Sequence, residues 1–399
     1  MTSAEDISSP READPDCATE YTAALCDWLA CAIAGADTAT ARSAAQLGSS
    51  LDDRLIALGT AGHVLDFDDT YAPGLSHISA PIGPVVLLMG AAVGATLADG
   101  LAAFARAFEA SAAFSRANHP SLRARGWHPT SVCGTVGAAI AAAALLQLSA
   151  EREQHAIRLA LLRAAGLGAA FGSGGKALQV GFAAAAGACA ARLAQSGARA
   201  SAAILDGAFG FGDAYGGQVV LRGDGPAIRE NWIKAYPCCL QTHAAIEAAI
   251  SAAEQGASLH GASVRVHPVS LQAAALSDVD DGLEAKFSIP YLSAYAFLHG
   301  APNCKSFDAV DASARTLARS VSVVADQTLL ESEAVLSTSD GSQLQVDAAL
   351  GSPQRPMTAA QLEAKVTSLA GEDLEGAFSD PGSEIKDLLP PAARALGGV

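Results

Sequence analysis

Aromatic side chains are scarce in this chain. Phe, Tyr and Trp make up 5% of its 399 residues, although half of all residues are hydrophobic and the mean hydropathy is +0.26. A core of that size cannot rest on large rings. It has to be built from Ala, Leu, Val and Gly on closely approaching helices. Basic residues are also few, 25 against 41 acidic, which leaves a net charge of −16. That sign argues against a nucleic-acid or anionic-membrane partner, but it leaves room for a local basic pocket around a small anion. The eight cysteines (Cys17, Cys26, Cys31, Cys133, Cys189, Cys238, Cys239 and Cys304) form no C-x-x-C pair and match no zinc-ligand spacing with histidine, so neither a metal site nor a disulfide framework is expected. The first residues lack the basic start and apolar run of a signal peptide. The longest apolar run, 81–98, carries two prolines and three glycines and has no basic flank, which speaks against a membrane span. The expectation is a cytoplasmic protein with no membrane partner.

Taken in order, residues 1–17 read as a disordered tail rich in Ser, Pro, Asp and Glu. Helical periodicity then runs through about 19–36, 61–71, 81–98, 101–115, 129–148, 149–166 and 176–197. The pattern changes after Trp232. Residues 264–269, 320–324, 332–336 and 343–348 alternate as strands do, with a hairpin turn at 339–342. Helical stretches lie between them at 243–253 and 289–298. Thr358 and Gln361 form a capping box that opens a last helix. The expected fold is mainly α: a large all-helical domain with an inserted, smaller α+β lid domain. Its expected divisions are 18–232 for the N-terminal helical part, 233–352 for the lid, and 353–399 for the return to the helical domain.

The densest chemistry lies between His63 and His77. Asp66, Asp68, Asp69, Thr70 and Tyr71 fall between those two imidazoles. Asp is a poor helix-interior residue, so three of them in an apolar chain need a reason. If 61–71 is helical, His63, Asp66 and Thr70 share one face, and Pro73-Gly74 then breaks the helix and returns His77 through a loop. Asp68 and Asp69 fall elsewhere on the turn, where they would fix the helix and the loop. The run from Gly172 to Lys176 resembles a phosphate loop but has Ala170 and Ala177 where that motif needs Gly and a hydroxyl. What remains is a lysine at a helix start, suited to an anion. His128, just before another helix, has the same property. Read alone it is equally a core or capping histidine. Lys234 stands where the composition switches, a place where a cleft is commoner than on a helix surface. Tyr291 alone reads as core.

These motifs occur in a familiar order. His63, Asp66, Phe67, Asp68, Asp69 and Thr70 precede His77. Gly126, Trp127, His128, Pro129 and Thr130 precede Gly134 and Gly137. Lys176 follows, then Lys234, Tyr236 and Pro237 with His243, and finally Lys286, Phe287, Ser288 and Tyr291. Over roughly residues 25–369 the chain resembles the MmgE/PrpD family, which includes 2-methylcitrate dehydratases, cis-aconitate decarboxylases and iminodisuccinate epimerases. The resemblance implies a helical domain with an α+β lid, a homodimer, no metal or organic cofactor, and an active site at the domain junction. By position it implies His77, His128, Lys176 and Asp66 as catalytic, with Thr70, Lys234, Tyr291 and Gln179 binding the substrate. Gln179 stands where a histidine is common in the family, and Ile78 where proline is usual.

The implied chemistry acts at a carbon beside carboxylates. Cationic groups such as Lys176, Lys234 and His128 would hold a small polycarboxylate. A free imidazole titrates near ~6.5, so His77 or His128 could move a proton at neutral pH. Asp66 would orient a histidine or keep a lysine charged. Dehydration, decarboxylation and epimerisation all stay open on these residues, as does a non-catalytic homologue that binds a carboxylate.

Overall fold

Alanine fills the buried faces of the helices here. The computed structural model describes residues 10, 14–274, 276–371, 374 and 376–389. Its content of 58% helix and 8% strand makes the fold mainly α, as expected. The tail expected over 1–17 lies outside the described residues except at its end, where Pro15–Cys17 forms a 3-10 turn and Cys17 is buried. The chain divides into two compact units, one within Met1–Val64, Asp68–Trp232 and Thr358–Val399, the other comprising Leu65–Phe67 and Ile233–Met357.

The first unit is helical. Its chain runs through α1 (Ala18–Gly35), α2 (Ala39–Ala45), α3 (Leu51–His63), α4 (Ser79–Val93), α5 (Leu97–Ala117), α6 (Ser121–Ala124), α7 (Pro129–Leu145), α8 (Ala150–Leu161) and α9 (Gly175–Gln195). Side-chain oxygens of Ser50, Thr96 and Ser149 cap α3, α5 and α8 by accepting otherwise unpaired backbone N–H groups. The central helices α7 and α9 pack on each other, with Ala138, Ala142, Ala184 and Ala188 fully buried. By length and composition α9 could cross a membrane, but 67% of its most apolar stretch is buried inside the unit. The few large rings sit where glycines make room. Trp28 of α1 is fully buried, and a Cβ on Gly62 or Gly83 would lie 2.2 or 2.3 Å from its indole. The last long helix, Ala359–Ala370, opens with the expected capping box of Thr358 and Gln361 and packs on α1. There the buried Lys365 ammonium meets the buried Asp27 carboxylate at 2.6 Å.

Two helical expectations fail in this unit. The run over 81–98 is not one helix. It stops at Gly94, which takes the left-handed conformation (φ 69°), and α5 starts at Leu97 under a capping box of Thr96 and Asp99. The helix expected over 61–71 ends at His63. Asp66 adopts φ 53°, a left-handed conformation outside any helix, and Thr70–Tyr71 (β1) pairs antiparallel with Asn231–Trp232 (β2). Asp66 and Thr70 therefore do not share a helical face with His63.

The second unit carries a four-stranded sheet in the order β4-β3-β5-β6. Its strands are β3 (Ser263–Val266), β4 (Ser322–Ala325), β5 (Ala334–Ser337) and β6 (Gln343–Val346). The β3–β4 pair is parallel and the other pairs are antiparallel. Pro268 ends β3 early by opening a short helix. Helix His243–Glu254 packs on β5, β6 and helix Ile289–His299. Two buried lysines hold Leu65–Phe67 in this unit. Lys234 Nζ donates to the Asp66 carbonyl at 2.8 Å and to its carboxylate at 3.0 Å. Lys286 Nζ donates to the carbonyls of Leu65 and Pro237. Burial pushes the Lys286 ammonium down to about 8, against the opposing pull of the Asp66 charge.

Close packing around Trp28 makes a stability prediction. Gly83→Ala lowers unfolding free energy by about 1–3 kcal/mol, because the new methyl overlaps a ring that has nowhere to go. Gly223→Ala, whose Cβ would meet only the Ala113 methyl at 3.8 Å, changes it by less than about 0.5 kcal/mol. Chemical denaturation of both variants checks the difference.

Candidate active site

The cluster begins at the end of α3. Ser50 and Asp53 fix where α3 starts, and its thirteen residues end on His63, which is buried. The chain returns to the first unit at Asp68, whose side chain is fully buried. A carboxylate without water needs donors. One oxygen, Asp68 Oδ2, lies 2.8 Å from His63 Nδ1 and 3.1 Å from His77 Nδ1. Burial alone pushes the Asp68 carboxyl up, but His63 and His77 overcome it and hold the group well below the usual carboxylate range. Its other oxygen, Oδ1, has no hydrogen-bond partner among the described residues.

The neighbouring carboxyl behaves differently. Burial pushes Asp69 up to about 7, although the Ser79 hydroxyl (2.7 Å) and the Asn231 amide (2.6 Å) both donate to it. Asp69 thereby ties the start of α4 to β2. Asp68 was expected to fix the turn, with Asp66 as the carboxylate of the site. The structure reverses those places. Asp69 fixes the turn, Asp68 holds the histidines, and Asp66 pairs with Lys234 in the second unit.

His77 is delivered by a tight loop. Tyr71 and Ser76 exchange backbone hydrogen bonds across it, and the backbone N–H of His77 donates to Thr130 Oγ1 of α7 at 3.1 Å. Thr70 Oγ1 lies 3.3 Å from His77 Nδ1. The His63 and His77 rings meet edge to face, with centroids 4.5 Å apart. His128, at the N-cap of α7 as expected, stacks at 6.2 Å from His63. It is 1% exposed, and neither of its ring nitrogens has a hydrogen-bond partner among the described residues. Burial, then the nearby His63, Lys176, His77 and Arg123, hold His128 well below the ordinary imidazole range. Lys176 is buried in the first turn of α9. Its ammonium lies 5.5 Å from the Phe171 ring centroid, and Arg123 covers the same ring at 4.3 Å.

The structure thus brings His77, His128, Thr70 and Lys176 into one unit with His63 and Asp68. It gives two expected binding residues other partners. The Gln179 amide bonds to both the N–H and the carbonyl of Leu167. The buried Tyr291 hydroxyl accepts from the Asp311 backbone N–H at 2.9 Å. The sequence reading underrated His63 and Asp68. Both stand in the family motif, but the motif and three aspartates in an apolar setting do not say which carboxylate is shared. The ligating atoms of His63, Asp68 and His77 lie within 4.8 Å of one another. Two imidazoles and a carboxylate suit a first-row divalent ion, but these atoms already close on one another by hydrogen bonds, and a cation would have to displace both protons.

Comparison with known proteins places these segments. Residues 49–222 match the MmgE/PrpD N-terminal domain and residues 236–377 the MmgE/PrpD C-terminal domain. The chain is 32% identical over 209 residues to a cis-aconitate decarboxylase of Homo sapiens, covering 48% of this chain and 42% of the relative. It is 29% identical over 274 residues to a cis-aconitate decarboxylase of Mus musculus, covering 62% of this chain and 55% of the relative. The chain spans about half the length of the curated relatives it matches.

The environment of His128 has a measurable consequence. Its ring stays neutral well below pH 6.5, which nitrogen chemical shifts of labelled histidine will show. Between its folded value and about 6.5 the unfolded chain binds a proton that the folded state does not, so stability falls as pH falls through that window. In His128→Leu this contribution disappears, and denaturation curves at a series of pH values will read a weaker loss.

Proposed function

The chain belongs to the MmgE/PrpD family, and from that premise we propose that it is a cofactor-independent lyase acting on a small di- or tricarboxylic acid, with decarboxylation of an aconitate-like acid as its reaction. The observation that carries this reading is the burial of His63, Asp68, His77, His128 and Lys176 in one unit. All five lie inside the stretch matched to the family's N-terminal domain. The names of the two curated relatives favour decarboxylation over the other family reactions.

The roles follow from charge and reach. Lys176, at a helix start and over the Phe171 face, holds a substrate carboxylate as a point charge. His128 stays neutral and offers one ring nitrogen as donor, which suits a second carboxylate or a carbonyl oxygen. His77 carries the proton. The carbon–carbon bond to the departing carboxylate breaks, carbon dioxide leaves, and the electron pair stays on the carbon skeleton. A proton from the His77 imidazolium quenches it, and the neutral imidazole regains a proton from water. Thr70, 3.3 Å from His77 Nδ1, contacts the substrate beside His77. The working form is a cytoplasmic homodimer.

Dehydration is the second reading, because a histidine anchored by a carboxylate can also remove a proton alpha to a carboxylate. Mass spectrometry of a panel of citrate-like and aconitate-like acids separates the reactions. The expected result is loss of carbon dioxide from an aconitate-like acid. Loss of water from a hydroxy acid selects the dehydratase, and deuterium uptake without mass loss selects an epimerase. His77→Ala and Lys176→Ala each lower kcat/KM by about 10²-fold or more. If purified protein converts none of the acids, or both variants match the wild type on an active substrate, this reading fails.

A further inference from the structure

The carboxylate Asp68 serves two imidazoles with one oxygen, and only one of those imidazoles has any outlet. The His63 side chain is 0% exposed and that of His77 is 10% exposed. Ionised Asp68 accepts hydrogen bonds and donates none. Each Nδ1 faces Oδ2, at 2.8 Å for His63 and 3.1 Å for His77, and a proton on each is what that anion attracts; Thr70 Oγ1, 3.3 Å from the same His77 Nδ1, then accepts and does not donate. That fixes both tautomers and leaves Nε2 of His77 as its exchanging nitrogen. It also makes His63 a rival, because its shorter bond draws on the charge that steadies a protonated His77.

We propose that Asp68 and His63 are positioning residues for His77: Asp68 sets its tautomer and supports its cationic form, and His63 tempers that support by sharing the same oxygen. This rests on the reading of His77 as proton carrier, but its physical content does not need a turnover. Among the described residues, the other charged or titratable groups near the cluster include His128 at the start of α7, Lys176 in α9 and Arg123 in α6, the last two acting together on His128, and the neighbouring Asp69, which itself feels Asp27. Lys176 and Arg123 are unchanged in the variants below, so their influence is common to all of them.

The two positions have opposite effects. Without the Asp68 charge the His77 imidazolium loses its nearest anion, so its titration midpoint falls. Without His63 the whole of Oδ2 is left to His77, so the midpoint rises. An opposite charge within ~4–6 Å is worth about 1–3 units. Asp68→Asn therefore lowers the His77 midpoint by about 1 unit or more, and His63→Gln raises it by a smaller amount. A merely structural role for either residue would not move the midpoint in opposite directions.

The experiment is a nitrogen-detected NMR titration of labelled histidine in the full chain without substrate, repeated as pH profiles of kcat/KM. Wild-type protein shows Nδ1–H on both His63 and His77. The two variants shift His77 in opposite senses, and Asp68→Glu restores the wild-type direction. The proposal is overturned if wild-type His77 carries its proton on Nε2. It is also overturned if folded Asp68→Asn and His63→Gln shift the midpoint the same way or not at all. Should a variant fail to fold, the wild-type tautomers alone decide. Opposite NMR shifts in a protein that converts no acid would sustain this proposal and sink the proposed lyase. Activity with unshifted midpoints would do the reverse.

Discussion

A fully buried carboxylate is the constraint around which the first unit is arranged. Asp68 is fully buried, and the cost of an unpaired buried charge is several kcal/mol. His63 and His77 meet that need at 2.8 and 3.1 Å. For both to reach one oxygen, α3 must end on His63 and the following loop must bring His77 back. Asp69 secures the start of α4 and β2, and Thr130 holds the His77 backbone from α7. The electrostatics of the cluster and the route of the chain are thus one arrangement. Moving the end of α3 by a turn would strand the carboxylate.

The scarcity of aromatic residues has its counterpart in this arrangement. Helices that pack through alanine and glycine approach closely, and a close-packed interior transmits small shifts rather than absorbing them. The imidazoles of His63, His77 and His128 are held at ring distances of 4.5 and 6.2 Å by helices α3 and α7 and one short loop. Trp28, fully buried between glycines of α3 and α4, shows how little slack the same core leaves elsewhere. The second unit uses a comparable device. Lys234 and Lys286 spend buried ammonium groups on the backbone of Leu65–Phe67, the three residues that join His63 and Val64 to Asp68 in the chain.

The mainly helical fold, the capped start of helix Ala359–Ala370 and the place of His128 before α7 were legible in the sequence, because hydrophobic period, capping residues and a Pro at a helix start are local signals. The family was legible from the order of motifs. The end of α3 was not. His63, Asp66 and Thr70 have helical spacing, but the left-handed backbone of Asp66 and the β1–β2 pairing are set by partners far along the chain. For the same reason sequence favoured Asp66 over Asp68. Three aspartates within four residues look alike until their donors are known, and His77, Ser79, Asn231 and Lys234 decide among them. Gln179 and Tyr291 look polar and available in a string of letters, but their hydrogen bonds are to the backbone of Leu167 and Asp311.

We propose that Lys176 and His128 hold a substrate carboxylate and that His77, positioned by Asp68 and His63, faces the reacting carbon. A crystal structure with a bound, unreactive tricarboxylate tests it most directly. The account predicts a ligand carboxylate within hydrogen-bond reach of Lys176 Nζ, His77 Nε2 facing the carbon skeleton, and Asp68 Oδ2 still shared by both imidazoles. A ligand bound away from these residues, or a His77 turned off Asp68 with its Nε2 buried in protein, would contradict it.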